Sequence, residues 1–340
     1  MPPRTKADGA RPVTAKSPLL PQDYGASPMS VRRVRPYSAG TPLGGRPMKA
    51  VVQDRYGPPD VLELRDVDRP VPTDDQVLVR IRAAGVNAYD WHLMRGDPYV
   101  ARLALGLRAP KARVRGRDFA GEVVSVGRNV PELRPGDEVF GEVDGTFAEY
   151  VCVPDASVER KPADLTFEQA AALPLAGNTA LRGLRDTAGV RKGQHVLVNS
   201  ASGGVGTFAV QIAKGLGAVV TGVCSARNAE LVRSLGADHV VDYAREDFTR
   251  SGRRYDVVLD LVGTRGITAL RRALTPAGTL VLAGGGAPGR FVGAAALTLK
   301  GVILSPPSSG SACSRSSGPP RARRSWWRCG SWPSPGSSPR

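Results

Sequence analysis

The stretch Ser200-Ala201-Ser202-Gly203-Gly204-Val205-Gly206 constrains this chain most, because the apolar run Val196-Leu197-Val198 leads into it and an amphipathic run leads out. Beyond it, Val205, Ala209, Ile212, Ala213 and Leu216 recur at helical spacing and share one face. The pattern predicts a strand, a tight turn and a helix in direct succession. Glycines lack the Cβ atoms that would hold a ligand away from the backbone, and the first N–H groups of a helix have no partner within it. Such a turn presents unpaired donors to a pyrophosphate. A tight strand-to-helix turn with no ligand is the plain alternative. The next strand follows at the spacing of the dinucleotide fingerprint, which favours binding by Ser202, Gly203, Gly204, Val205 and Gly206.

The choice of dinucleotide rests on the end of that next strand, where an acid would bond the ribose 2′-hydroxyl of NAD. The strand ends Val223-Cys224-Ser225-Ala226-Arg227, with no acid. A hydroxyl and a guanidinium suit a 2′-phosphate, so NADP (NADPH) is expected, held by Ser225 and Arg227. Alternatively, Arg227 simply opens the next helix from solvent. Tyr243, after the third strand, is a second expected contact.

Around this turn, residues 193–304 alternate short apolar strands with helices, including Val257-Val258-Leu259-Asp260 and Thr279-Leu280-Val281-Leu282-Ala283. Continuous apolar strands are buried on both faces, and the β, α, β order implies a doubly wound parallel sheet. From Met48 to about Pro162 the texture is different. Val77, Val79 and Ile81 alternate with polar or outward positions, as do Phe147, Glu149, Val151 and Val153. Turns at Gly57-Pro58-Pro59-Asp60, Gly127-Arg128-Asn129 and Pro135-Gly136-Asp137 separate these runs, predicting a β-rich domain. Thr166 is placed to cap a helix that runs toward Pro174. With 340 residues, the chain has room for two domains.

The net charge of +16 raises nucleic acid as a partner, but its distribution argues against it. Residues 1–47 hold 8 Lys/Arg against 2 Asp/Glu, and residues 305–340 hold 6 Arg and no acid, so the ends carry +12 and the body only +4. No run approaches the length of a membrane span, and no secretory signal is visible, so a cytoplasmic protein is expected. The four cysteines, Cys152, Cys224, Cys313 and Cys329, form no CxxC pair and are expected to be free thiols.

The glycine turn sits in a longer series of motifs: Ala84-Gly85-Val86-Asn87-Ala88-Tyr89-Asp90, Gly116-Arg117-Asp118-Phe119-Ala120-Gly121, Pro135-Gly136-Asp137-Glu138-Val139, Gly145-Thr146-Phe147-Ala148-Glu149-Tyr150 and Leu235-Gly236-Ala237-Asp238. From Met48 to about Gly286 this series resembles the zinc-free NADPH:quinone oxidoreductase-like branch of the medium-chain dehydrogenases/reductases. The resemblance implies an α/β fold class, with a GroES-like β-rich catalytic domain at 48–165 and a Rossmann NADP-binding domain at 166–304. It also implies an active site in the cleft between them and a homodimer. Zinc relatives carry a cysteine where this chain has Asn87 and a histidine where it has Arg117, and His92, His195 and His239 do not recur at ligand spacing. No metal is therefore expected. His195 and His239 are expected to open strands.

Without a Lewis acid, hydride is best accepted by a group that already delocalises charge, a quinone or an α,β-unsaturated carbonyl. The resemblance brings Asn87, Tyr89 and Asp90 to the cleft as the catalytic set, with Thr179 near the nicotinamide. Each also has a plain structural reading: Asn87 and Asp90 as the pins of a turn, Tyr89 as an aromatic wall.

The two ends differ from the body. Residues 1–47 are rich in Pro, Gly, Ser and Arg without periodicity and are expected to be disordered, with Met48 a candidate true start. Of the 36 residues from 305 to 340, 29 are Ser, Pro, Gly or Arg, and three of the four tryptophans lie there. Two readings stand for this tail. It is a disordered low-complexity segment, or it is a frameshift product, since permitted codons read in another frame give amphipathic strings like those that close the catalytic domain in the resembled family. The latter leads to a rival function: an NADP-binding protein whose catalytic domain is impaired.

Overall fold

The computed structural model describes residues 47–283. The expectations for 1–46 and 284–340, including both unusual ends, Cys313 and Cys329, lie outside the described residues.

Period-two patterning builds the first part. Strands β1 (Pro47–Gln53) and β2 (Leu62–Asp68) pair antiparallel. Five more strands, β3 (Gln76–Gly85), β4 (Asp118–Val126), β5 (Glu138–Glu142), β6 (Tyr150–Pro154) and β7 (Val158–Arg160), form an antiparallel sheet in the order β6-β3-β4-β5-β7. Its apolar face closes on Val77, Val79, Phe119, Val123, Val139, Val151 and Val153, all buried. Leu78 is buried too but lies outside that cluster, so the alternation of Val77, Val79 and Ile81 holds and both faces of β3 are covered there. One expectation needs adjustment. The run from Phe147 to Val153 is divided: Phe147 and Glu149 exchange backbone bonds with β1, and β6 proper begins at Tyr150. Between β3 and β4 lie the short helices α1 (Ala88–Arg95) and α2 (Arg102–Leu105).

Thr166 caps α3 (Phe167–Ala171) by accepting the Gln169 N–H, while Gln169 returns the bond in a capping box. Pro174 then stands at the first turn of α4 (Pro174–Leu181), where its missing N–H costs nothing. Helix α3 packs on β3, β4 and β5, and α4 touches β4 and β5 while lying along α5 (Gly204–Gly215).

The second sheet is parallel: β8 (His195–Asn199), β9 (Val219–Cys224), β10 (His239–Asp242), β11 (Tyr255–Asp260) and β12 (Leu274–Leu282), ordered β10-β9-β8-β11-β12. Alternate residues serve opposite faces. Val196, Val198, Val257 and Leu259 join Ala209, Val210 and Ala213 of α5 on one side. Leu197, Val258 and Val223 join Phe248 and Leu270 of α7 (Ile267–Arg272) on the other. Helix α6 (Ala229–Ser234) connects β9 and β10. The strand order reverses on either side of β8, so the glycine turn leaves the sheet at its topological switch point.

Phe119 is fully buried at the centre of the antiparallel sheet's core. Truncation to alanine removes that packing and is expected to destabilise the protein by about 3–5 kcal/mol. Chemical unfolding followed by near-ultraviolet circular dichroism checks this, since the change falls on aromatic packing.

Candidate functional site

The sequence-predicted residues fall into two groups. One surrounds the carboxyl ends of β8, β9 and β10. Ser200, the residue between β8 and the glycine turn, has φ +69°, a left-handed conformation unusual for a residue with a side chain. Gly203 caps α5, and a Cβ on Gly206 would run into the Ser200 carbonyl, whereas Gly204 has open space before it. Glycine at 206 thus lets helix and strand close tightly, and glycine at 204 leaves the helix N-terminus uncovered. Ser202 accepts the Asn228 Nδ2–H at 3.0 Å, tying the turn to the loop that carries Arg227. The Tyr243 N–H donates to the Cys224 carbonyl, which sets Tyr243 beside Ser225. Tyr243 is 58% exposed and Arg227 is exposed, so both present polar side chains to solvent next to the turn. This geometry fits a nicotinamide dinucleotide.

The other group gathers at the N-terminus of α1. Asn87 is its N-cap, and the Asp90 carboxylate accepts the Asn87 N–H at 2.8 Å in a capping box. Asp90 is buried, and desolvation lifts its carboxyl above the usual range despite that bond. Tyr89 is 37% exposed, with the Arg117 guanidinium 5.9 Å from its ring centroid. Burial raises its hydroxyl pKa, and Arg117 opposes the rise. Arg117 itself is held by Glu142 at 2.7 Å and Asp144 at 2.8 Å.

Asp118 was not singled out by the sequence beyond its motif. It is 1% exposed, and its carboxylate accepts the Asn87 Nδ2–H at 3.0 Å and the Leu175 N–H at 3.1 and 3.2 Å. Leu175 lies in the first turn of α4, whose Thr179 hydroxyl donates back to the Leu175 carbonyl at 2.7 Å. Asp118 therefore joins Asn87 to the helix that carries Thr179, and that helix lies along α5. Desolvation pushes its carboxyl up to about 7, against the two donors and with help from Glu142 and Asp90. The signal the sequence held for it was its place in the Gly116-Arg117-Asp118 motif.

The remaining titratable groups are quieter. His195 and His239 open β8 and β10 as expected. His92 stacks edge-on against Trp91 at 5.0 Å, and burial lowers its pKa. Cys152 and Cys224 are free, and burial raises both thiols, Cys152 to about 11.

The folded Asp118 holds its proton far above its ordinary value of 3.8. A raised carboxyl pKa favours the folded state at low pH, and that contribution is lost as pH climbs through about 7. Between pH 5 and pH 8 the wild type is expected to lose about 2 kcal/mol of stability through this group. The Asp118→Asn variant should show a flatter dependence in urea titrations across that range.

The alcohol dehydrogenase GroES-like domain family matches residues 73–163, and the family described as zinc-binding dehydrogenase matches residues 204–316. A catalytic zinc does not fit here. The positions expected to hold it carry an amide, Asn87, and an ion-paired guanidinium, Arg117, and no group of three or more His, Cys, Asp or Glu among the described residues is arranged to hold a metal. The chain is 38% identical over 257 residues to a 2-methylene-furan-3-one reductase of Solanum lycopersicum, covering 72% of this chain and 64% of that protein. It is 36% identical over 233 residues to a chloroplast envelope quinone oxidoreductase homolog of Arabidopsis thaliana, covering 64% of this chain and 69% of that one. The solved quinone oxidoreductase of Coxiella burnetii matches with a TM-score of 0.64 at 37% identity, over 70% of this chain and 75% of its own. The glycine turn at the switch point of a parallel sheet, the antiparallel sheet before it and these matches together show that the chain belongs to the medium-chain dehydrogenase/reductase superfamily, in its quinone oxidoreductase-like branch.

Proposed function

We propose that the protein is an NADPH-dependent reductase of quinones or other α,β-unsaturated carbonyls. The observation that carries this reading is the pairing of an open glycine turn, flanked by Ser225, Arg227 and Tyr243, with an acceptor side built on Asn87 rather than on metal ligands. The names of the Solanum and Arabidopsis relatives, an enone-type reductase and a quinone oxidoreductase homolog, support it.

When bound, NADPH supplies the hydride. In the proposed site the backbone of Ser202, Gly203, Gly204, Val205 and Gly206 holds the pyrophosphate, and Ser225, Arg227 and Tyr243 hold the 2′-phosphate by charge-assisted bonds. Thr179 would stand beside the nicotinamide. Asn87 offers an amide N–H to the oxygen on which enolate charge develops, a donor that gains strength as that charge grows. Tyr89 forms an aromatic wall, and Asp90 holds the α1 turn that aims Asn87. Solvent water supplies the proton. The proposal includes a catalytic domain over 48–165, a nucleotide domain over 166–304 and a homodimer. No helix among the described residues is long and apolar enough to cross a membrane.

The direct assay is the loss of reduced-nicotinamide absorbance against a panel of quinones and enones, with saturated ketones and alcohols as controls. Turnover confined to the conjugated acceptors and unaffected by chelator is expected; oxidation of simple alcohols that a chelator abolishes would sink the reading. Arg227→Ala should raise KM for NADPH by about tenfold, the equivalent of one lost charge-assisted bond, and leave KM for NADH unchanged. Equal effects on both cofactors would refute 2′-phosphate recognition.

A further inference from the structure

The residue with no part in that scheme is Asp118, a carboxylate buried at the start of β4 with no cation bonded to it. Its sequence neighbour Arg117 is engaged by Glu142 and Asp144 instead. Burying a charge that only neutral donors satisfy is costly, and a neutral amide side chain would accept an N–H there at lower cost. The surroundings are nevertheless fitted to this carboxylate. It faces Gly85 across the β3–β4 ladder, and a Cβ on Gly85 would lie 3.1 Å from the Asp118 Cβ and 2.6 Å from the Ala171 carbonyl oxygen. Glycine at the end of β3 therefore makes the space in which Asp118, the α1 turn and α3 meet.

We propose that Asp118 is a positioning residue that fastens the Asn87 side chain to the N-terminus of α4, so that the amide facing the acceptor and the helix bearing Thr179 keep one fixed relation. The argument is geometric and rests on the reductase reading for its consequence. An asparagine amide has two N–H donors and one acceptor oxygen. The Asp90 N–H donates to the Asn87 backbone carbonyl and the Asp90 carboxylate accepts the Asn87 N–H, which pins the cap, while Asp118 takes one of the two side-chain amide hydrogens. A single N–H is left, with its direction set. The same carboxylate takes the Leu175 N–H through both oxygens, so α4 cannot shift along its axis without straining the bond to Asn87. Reactions between two bound groups depend steeply on such placement, with a displacement of about 1 Å costing about a hundredfold.

Protonation adds a handle. The charged groups that act on Asp118 are Asp90 on α1 and Glu142 on β5, both acidic, and they reinforce the effect of burial. The proton that Asp118 gains below about pH 7 takes up one of its acceptor sites, which loosens the clamp. In the wild type kcat should therefore rise with pH through neutrality, while KM for NADPH stays level.

The experiment is a double-mutant cycle on the full chain. Asp118→Asn and Asn87→Ala are each expected to lower kcat with the conjugated acceptor about tenfold to a hundredfold. The double variant should be no slower than the worse single one, and Asp118→Asn should lose the rise of kcat with pH. Additive losses, or an Asp118→Asn enzyme with unaltered kcat and pH profile, would overturn the proposal. A second readout needs no turnover: the Asn87 side-chain amide signals in a nitrogen-15 spectrum should titrate near neutrality in the wild type and not in Asp118→Asn. If Asp118→Asn does not fold, Asn87→Ala serves, because losing a donor should raise the Asp118 carboxyl pKa further, as seen by carbon-13 titration; an unmoved pKa refutes the clamp. Wild-type protein that turns over NADPH with none of the quinones or enones counts against the reductase reading, and the two spectroscopic titrations then still decide the clamp.

Discussion

A buried carboxylate that must satisfy itself with N–H groups constrains everything near it, and here that carboxylate is Asp118. The group is almost wholly removed from water, and its partners come from two different elements, the cap of α1 and the first turn of α4. Each partner is backbone or amide, so neither can swing away to follow solvent as a lysine would. The end of β3, the α1 turn and α4 are consequently located with respect to β4. The empty position at Gly85 is the steric counterpart of this bond set.

The second organising feature is the reversal of strand order about β8. A parallel sheet covered on both faces leaves its ligand-sized opening where neighbouring connections leave in opposite directions, and the glycine turn is the connection that leaves there. The ends of β9 and β10 deliver Ser225 and Tyr243 to the same edge because Cys224 and Asp242 are directly paired in the ladder. The lengthwise contact of α4 with α5 then links the two groups of candidate residues, one around Asn87 and the other around the glycine turn.

Much of this was written locally. The strand, turn and helix around Ser200 to Gly206, the Thr166 cap and the strand-opening histidines depend on neighbours within a few residues, where propensity and spacing carry the information. Asn87 and Asp90 also belong to this class, since a capping box spans four residues and reads as S/T/N-x-x-acid. The failure has a different origin. Phe147 to Glu149 pairs with β1, about a hundred residues earlier, rather than extending β6.

The sequence by itself determined the family, the parallel sheet with its glycine turn, the lack of zinc ligands at Asn87 and Arg117 and the polar, acid-free end of β9. All of these are statements about residue type at short spacing. Only the tertiary structure decided what Asp118 does. Its donors lie 31 and 57 residues away in the chain, and nothing in the motif Gly116-Arg117-Asp118 says which of its neighbours will be deprived of water or which N–H groups will arrive. Burial and hydrogen-bond partnership are properties of packed elements, and a carboxylate acquires its meaning only from both.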